Sequence, residues 1–243
     1  MQVVVTALRI LEAVAAQQPV GVSELARSLH LPKTTVQRGL KALASAGWIR
    51  AGQAEPTRWV LTTRPLTVAR HTSERGGLRE VVMEAMEQLR QETQETIHLA
   101  VLEGDRMVVV ERLDSPMVVR SSYPLGFSAP VHASSTGKAY LSCLSVTDIE
   151  ALLPSRLPGY TDTTFRSRRA LLAEIDEIRH LGYASNRGEL RSDIGSVAAP
   201  IRHSDGRPGA AISISAPIHR IPEHERPRLG ALVAKLASTA TLR

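Results

Sequence analysis

Lys33-Thr34-Thr35-Val36-Gln37-Arg38-Gly39-Leu40-Lys41-Ala42-Leu43-Ala44-Ser45-Ala46 carries two helical stripes on one segment. Val36, Leu40 and Leu43 recur at i, i+4 and i+7, the spacing that lines one face of an α-helix and buries it. Thr34, Arg38 and Lys41 repeat that spacing on another face, joined near the start by Lys33, Thr35 and Gln37. A helix whose exposed half presents hydroxyls, an amide and guanidinium or ammonium groups can bond base edges and phosphates, and it fits a major groove about 12 Å wide. The chain has four lysines, and two of them lie here.

Upstream, Val4, Leu8, Leu11 and Ala15 have the spacing of an apolar stripe that covers a small core. After Pro19 a short second helix is expected from near Gly21, with Glu24 in its positively polarised first turn and Leu25, Ala26 and Leu29 facing inward. His30-Leu31 forms the turn, and Pro32 suits the first position of the next helix, where its missing N–H is not required. Downstream, Gly47 ends that helix. Trp48-Ile49-Arg50, a loop over 52–57 and Arg58-Trp59-Val60-Leu61 then read as two short strands around a wing. Arg50 and Arg58 are expected to touch backbone phosphates from there. This order of elements makes residues 1–65 a winged helix-turn-helix for double-stranded DNA.

The charge distribution agrees. Of a formal net charge of +6 over 243 residues, residues 1–65 hold eight basic against three acidic side chains, while the rest hold 22 against 21. Phosphate neutralisation by Lys and Arg supplies most of the sequence-independent affinity for DNA. At 43% apolar and 22% charged residues, the composition is that of a globular chain and not a disordered one. Cys143 is the single cysteine, which excludes an intrachain disulfide and a cysteine-based zinc cluster and suits a reducing compartment. No stretch nears the roughly 18 uninterrupted apolar residues of a membrane span and no signal-peptide order opens the chain, so a cytoplasmic protein is expected.

Residues 70–77 are polar and end in Gly76-Gly77, which places a domain boundary there. Leu78, Val82, Ala85 and Leu89 then form a helical stripe flanked by Val81 and Met86, expected to be shared with a partner subunit. The organisation expected is 1–65 for DNA, 66–94 as a linker that includes a helix, and 95–243 for a second domain. Its strands are signalled by Ile97-His98-Leu99-Ala100-Val101-Leu102 and Met107-Val108-Val109-Val110 around Gly104-Asp105. A second hairpin turns at Asp205-Gly206, between 197–201 and 210–215. Helices near 167–180 and from Glu223 onward mix with these strands without βαβ regularity, so the class is α+β with an antiparallel sheet and flanking helices. In the last strand Ile212 and Ile214 point to one face and Ser213 and Ser215 to the other, where two hydroxyls can donate to a carboxylate.

The chain resembles the isocitrate-lyase-regulator (IclR) family of bacterial transcription factors over nearly its whole length. The motifs that carry this are Ala7-Leu8-Arg9-Ile10-Leu11, Ser23-Glu24-Leu25-Ala26 and Leu31-Pro32-Lys33-Thr34-Thr35-Val36-Gln37-Arg38, then Pro130-Val131-His132-Ala133-Ser134-Ser135-Thr136-Gly137-Lys138-Ala139, Ile178-Arg179-His180-Leu181-Gly182-Tyr183-Ala184, and Val197-Ala198-Ala199-Pro200-Ile201 with Ala211-Ile212-Ser213-Ile214-Ser215. The resemblance implies a winged helix joined by a linker helix to a GAF-like effector-binding domain, assembled as dimers or dimers of dimers. It also implies a small-molecule pocket whose residues fall on Ser135, Thr136, Asn186, Ser196, Ser213 and Ser215, with Val118 and Ser121, on a preceding strand, completing its wall.

Two departures bear on the ligand. Many members have an acidic cluster where this chain has Asn186-Arg187-Gly188-Glu189, and a cysteine where it has Ser196. Less acidic charge beside the pocket reduces repulsion of an anion, and loss of the cysteine removes a soft metal ligand. A small organic or aromatic acid, without metal or cofactor, is therefore the expected effector.

Catalytic readings lack their companion motifs. Ser135-Thr136-Gly137-Lys138 fits Ser-x-x-Lys, but no Ser-Asp-Asn or Lys-Thr-Gly element accompanies it. Gly137-Lys138 is no phosphate loop, because His132 and Ala139 stand where Gly and Ser or Thr belong. The eight histidines form no HExxH, and His132 is expected to be structural. Lys138 is placed on a helix running to Cys143. An enzyme would show turnover of the effector, and a module that binds only protein would give no shift of DNA in a gel.

Overall fold

The computed structural model describes residues 2–53, 56–73 and 77–242. The chain divides into two compact units between residues 75 and 76. Residues 54–55 of the expected wing loop and 74–76 of the expected linker lie outside the described residues.

The first unit contains α1 (Gln2–Gln17), α2 (Val22–Leu29), α3 (Lys33–Ser45), the antiparallel pair β1 (Ile49–Ala51) and β2 (Trp59–Leu61), and α4 (Arg64–Ser73). Gly21 caps α2, and its N–H donates to Glu24 Oε2 at 3.2 Å, satisfying a donor that the helix itself leaves free. The turn to α3 passes through His30 in the left-handed region (φ 55°), and Pro32 caps α3 instead of occupying its first turn. Its carbonyl accepts from the N–H groups of Thr35 and Val36. Val36, Leu40 and Leu43 are buried as their spacing demands, against Ile10, Val14, Val20, Leu25 and Ile49.

The stripe expected on α1 is the wrong one. Ile10, Ala13 and Val14 enter the core, whereas Val4, Leu8 and Ala15 face solvent and Leu11 is half-buried. The cause lies across the interface. Gly39 on α3 leaves room for the Ile10 side chain, so the close approach of the two helices selects the Ile10–Val14 face.

The second unit is a six-stranded antiparallel sheet with helices on both faces. It opens with α5 (Leu78–Thr93), followed by β3 (Thr96–Glu103), β4 (Arg106–Leu113), β5 (Ser128–Pro130), α6 (Ser135–Leu141), α7 (Val146–Leu152), α8 (Arg168–Leu181), β6 (Ala184–Arg187), β7 (Ile194–Arg202), β8 (Pro208–Pro217) and α9 (Arg226–Thr239). The strand order is β5-β4-β3-β8-β7-β6. Both expected hairpins are present, β3–β4 at Gly104 and β7–β8 at Gly206, each glycine having a positive φ that suits its turn. The alternation of β8 sends Ile212 and Ile214 to a core shared with α5 and α9, and Ala211 to one shared with α6, α7 and α8. Val82, Ala85, Met86 and Leu89 of α5 are buried in the first of these cores. Those four of the residues expected to be shared with a partner are thus taken up by their own sheet, while Leu78 packs half-buried at the edge of that core and Val81 is exposed.

The sequence around α6 has its own logic. Ser134 Oγ accepts from Gly137 N–H at 3.1 Å and donates to Pro130 O at 3.0 Å, starting the helix after a single 3-10 turn, Val131–Ala133, that follows β5. A Cβ on Gly137 would overlap the Val131 carbonyl, so only glycine lets α6 approach this turn. The helix lies against the middle of the sheet, which puts Ser135 and Thr136 over the strand face that carries the serines.

Candidate functional site

The first unit presents one face with the chemistry expected for DNA. Lys33, Thr34, Gln37, Arg38 and Lys41 are exposed on α3, and Thr35 is half-buried. Thr34, Gln37, Arg38 and Lys41 line a single open concavity. Their exposure and shared face follow from the burial of Val36, Leu40 and Leu43 on the opposite side of the same helix.

On the wing, Arg50 is exposed on β1. Arg58 is already engaged: its Nη1 donates to both Glu24 carboxylate oxygens, at 2.8 and 2.6 Å. That pair ties the wing to the start of α2, and together with the Gly21 N–H it holds the Glu24 carboxyl below the usual carboxylate range. The sequence placed Glu24 at the helix dipole but held no sign of its partner 34 residues away.

In the second unit a small cavity of about 40 Å³ opens between the sheet and α6. Six of the eight residues expected for the effector line it: Ser135, Thr136, Asn186, Ser196, Ser213 and Ser215. Strand register brings them together. Asn186 of β6, Ser196 of β7, Ser215 of β8 and Thr96 of β3 form one row across four strands, and Ser213 sits in the next row beside His98. Val118 is not in the wall. It is 94% exposed, on a segment from 114 to 127 that forms no strand, so both parts of that expectation are corrected. Ser121 is buried behind the wall, with its hydroxyl 3.0 Å from Ser215 Oγ. The Asp114–Phe127 segment instead contributes Tyr123 and Phe127, whose rings stack at 4.2 Å. Two aromatic residues close together in a chain with 3% aromatics were the signal available.

The hydroxyls are not equivalent. Ser135 and Ser196 bond each other at 2.7 Å. The Asn186 amide donates one N–H to Ala133 O and its oxygen accepts from the N–H groups of Gly188 and Glu189, so it shapes the turn beside the cavity. Thr136 and Ser213 make no side-chain hydrogen bond among the described residues, which leaves their hydroxyls for a guest.

Electrostatics complete the site. His98 is buried, and desolvation helped by the Arg112 guanidinium pulls its imidazole down to about 4. It is neutral, with Nε2 accepting from Tyr123 N–H at 3.3 Å and the proton on Nδ1. Burial pushes the Tyr123 phenol up to about 12, so it too is neutral. Arg191 is then the one ionic side chain among the described residues lining the cavity.

Beneath α6 lies a feature that the sequence did not announce. Lys138, expected on this helix and found there, is 0% exposed, with Nζ 2.7 Å from Glu189 Oε1 and 3.1 Å from Glu174 Oε1. It also sits 4.9 Å from the centre of the Phe165 ring. Lysine so seldom buries without a partner that nothing short of the fold would have placed it there. His132 Nε2 lies 2.9 Å from Pro158 O, in a structural role away from the cavity. Among the described residues, no group of three or more His, Cys, Asp or Glu is placed to hold a metal ion, and no helix is long and apolar enough to cross a membrane.

Comparison with known proteins matches these two units to two family models. The IclR helix-turn-helix domain matches residues 3–52, and the bacterial transcriptional regulator IclR C-terminal domain matches residues 71–241. The chain is 31% identical over 239 residues to the acetate operon repressor of Salmonella typhimurium strain LT2, covering 97% of this chain and 87% of that one. Its fold is that of the Thermotoga maritima IclR, with a TM-score of 0.81 at 21% identity over 99% of this chain and 97% of the other. An IclR homologue from Microbacterium hydrocarbonoxydans, solved with 4-hydroxybenzoate, aligns at a TM-score of 0.81 and 25% identity, over 98% and 97% of the two chains. The relatives are regulators of transcription and not enzymes. With an exposed recognition helix in one unit, a polar-lined cavity in the other and both matched in order, the chain belongs to the IclR family of bacterial transcriptional regulators.

Proposed function

We propose that this chain acts in the cytoplasm as a homodimer, or a homotetramer built from dimers, that binds double-stranded operator DNA through α3 and its wing and responds to a small organic or aromatic acid in the C-terminal cavity. The observation that carries the effector reading is the lining of that cavity. Unengaged hydroxyls of Thr136 and Ser213, a stacked Tyr123–Phe127 wall and the cation Arg191 are the three features that a ring bearing a carboxylate requires. The related protein from Microbacterium hydrocarbonoxydans binds such a molecule. An apolar wall with a few placed polar groups is the usual make-up of a small-molecule site.

Pairing is supported by what α1 leaves outside. Val3, Val4, Val5 and Leu8 form an exposed apolar face on it, and Leu66 and Val68 are exposed on α4. Such a patch suits contact between two copies, and a dimer on a two-fold operator places its two α3 helices about one DNA turn, roughly 34 Å, apart or a multiple of that. The acid shifts DNA affinity only as far as it prefers one arrangement of the dimer, typically by about 1 to 3 kcal/mol.

Isothermal titration with benzoate, 4-hydroxybenzoate, pyruvate and neutral amides, followed by anisotropy of a labelled upstream duplex with each binder, tests the reading. Saturable heat from an acid that also moves the DNA midpoint is expected. A neutral compound that titrates cleanly while every acid is silent contradicts it.

A further inference from the structure

Arg191 lines the cavity, yet its guanidinium is already spoken for. Its Nε lies 3.2 Å from Asp193 Oδ1 and its Nη2 3.0 Å from Asp193 Oδ2, a two-pronged pairing of the kind a planar carboxylate makes with the guanidinium fork. The partner is two residues on, half outside the protein, and is not itself part of the cavity wall. We propose that Asp193 is a stand-in for the effector's carboxylate, holding Arg191 until an acid in the cavity displaces it. The idea rests on the acid-effector reading above and adds to it the anchor and the competitor.

Three observations give the proposal its form. First, the remaining lining residues are neutral, His98 and Tyr123 included, so an anion entering the cavity meets one full positive charge, and among the described residues that charge has one carboxylate partner. Second, the backbone around the pair is pinned. Asn186 Oδ1 accepts from Gly188 and Glu189 N–H, the Thr164 hydroxyl donates to Glu189 O at 2.6 Å, and Lys138 holds the Glu189 side chain from below. On the far side, Ile194 N–H donates to Arg191 O and Ile218 N–H to Asp193 O. The exchange is therefore a movement of side chains on a fixed turn, and the anchor is positioned before ligand arrives. Third, the pair is solvent-exposed, with side chains 56% and 64% accessible. Exposed ion pairs are weak, so a ligand that also stacks on Tyr123 and Phe127 has the advantage over Asp193.

Displacement gives a discriminating test. Asp193→Asn keeps the shape and removes the competing charge, so the full-length variant is expected to bind 4-hydroxybenzoate about two- to fivefold more tightly than the parent chain, the range by which exposed pairs are measured to act. Its affinity for 4-hydroxybenzamide, which has no carboxylate, is expected to stay put. Arg191→Gln is expected to weaken the acid at least tenfold and the amide little, and in the double variant the gain from Asp193→Asn disappears. Thermal melts of all three should match the parent, because both side chains are at the surface. If the parent binds the acid and Asp193→Asn leaves its affinity unchanged, or tightens the amide equally, the stand-in role is wrong while the acid-effector reading survives. If no acid binds the parent or any variant, both fall together.

Discussion

Lys138 Nζ and Glu189 Oε1 lie 2.7 Å apart with neither side chain reaching solvent, and the pair joins α6, which floors the cavity, to the turn that carries Arg191. Among the described residues the other Glu189 oxygen has no hydrogen-bond partner, so apart from a long bond from Arg187 N–H the carboxylate rests on the ammonium. Burial pushes that carboxyl up while Lys138 pulls it back. Lys138→Met is expected to strip a buried charge of its partner and destabilise the C-terminal unit by about 3 to 5 kcal/mol, read from urea unfolding. Lys138→Met with Glu189→Gln removes the more deeply buried pair and leaves Glu174, 11% exposed, as the carboxylate without its ammonium, so it should recover part of that loss. Equal loss in the single and double variants would show that the pair is not what holds these elements.

Arg38→Ala is expected to cost about 1 to 3 kcal/mol in operator binding and relax discrimination at one base pair if the guanidinium reads a base, or weaken all duplexes alike if it holds a phosphate. Competition with a library of single-base operator variants separates the two. Unchanged binding removes Arg38 from the interface.

Arg50 and Arg58 should part company. Arg50 is exposed and free to reach a phosphate, so Arg50→Ala lowers the salt slope of DNA binding by about one. Arg58 is held by Glu24, so Arg58→Ala leaves that slope nearly unchanged. Equal slopes for the two variants would mean that DNA breaks the Glu24 pair.

Ser213→Ala with Ser215→Ala is expected to abolish the response to an acid effector and spare operator affinity, since both hydroxyls belong to the cavity face and neither to α3. A normal response in the double variant would move the effector site elsewhere.

His98 makes stability depend on pH. In the unfolded chain it titrates near 6.5, and in the fold near 4, so between those values only the unfolded state takes up the proton. The contribution of His98 is complete well above pH 6.5, falls as pH drops through it and is lost by about pH 4, about 3 kcal/mol in all. Arg112, Asp114 and Tyr123 surround the ring, and His132, also pulled down by burial, acts in the same direction. His98→Gln is therefore expected to flatten the urea midpoint between about pH 7 and 5 without removing the slope entirely. An unaltered slope would contradict the buried neutral imidazole.

What the residues disclosed in advance, and what they withheld, has a physical pattern. The α3 stripe was legible because Val36, Leu40 and Leu43 are the only large apolar side chains on that helix. On α1, Val3, Val4, Val5 and Leu8 compete with Ile10, Ala13 and Val14, and period alone cannot say which face has a core behind it. Hairpins announce themselves through adjacent turn residues such as Asp205-Gly206, but the pairing of β3 with β8 joins residues more than a hundred positions apart. The same limit hid Lys138 with Glu189 and Arg58 with Glu24, whose partners lie 51 and 34 residues away. The serine row was readable from alternation and from resemblance, whereas Val118 was assigned to a strand that the Pro116 segment does not form.

The central claim is that the polar face of α3 meets a duplex. Anisotropy of a labelled duplex, titrated with parent protein and with Lys33→Ala/Arg38→Ala/Lys41→Ala between about 50 and 200 mM salt, the range over which phosphate neutralisation shows, measures this directly. The parent is expected to lose affinity steeply as salt rises, and the triple variant to have a slope shallower by up to about 2.7, or roughly 0.9 for each phosphate no longer neutralised. A parent whose binding ignores salt, or a triple variant that keeps the parent's slope, would contradict it.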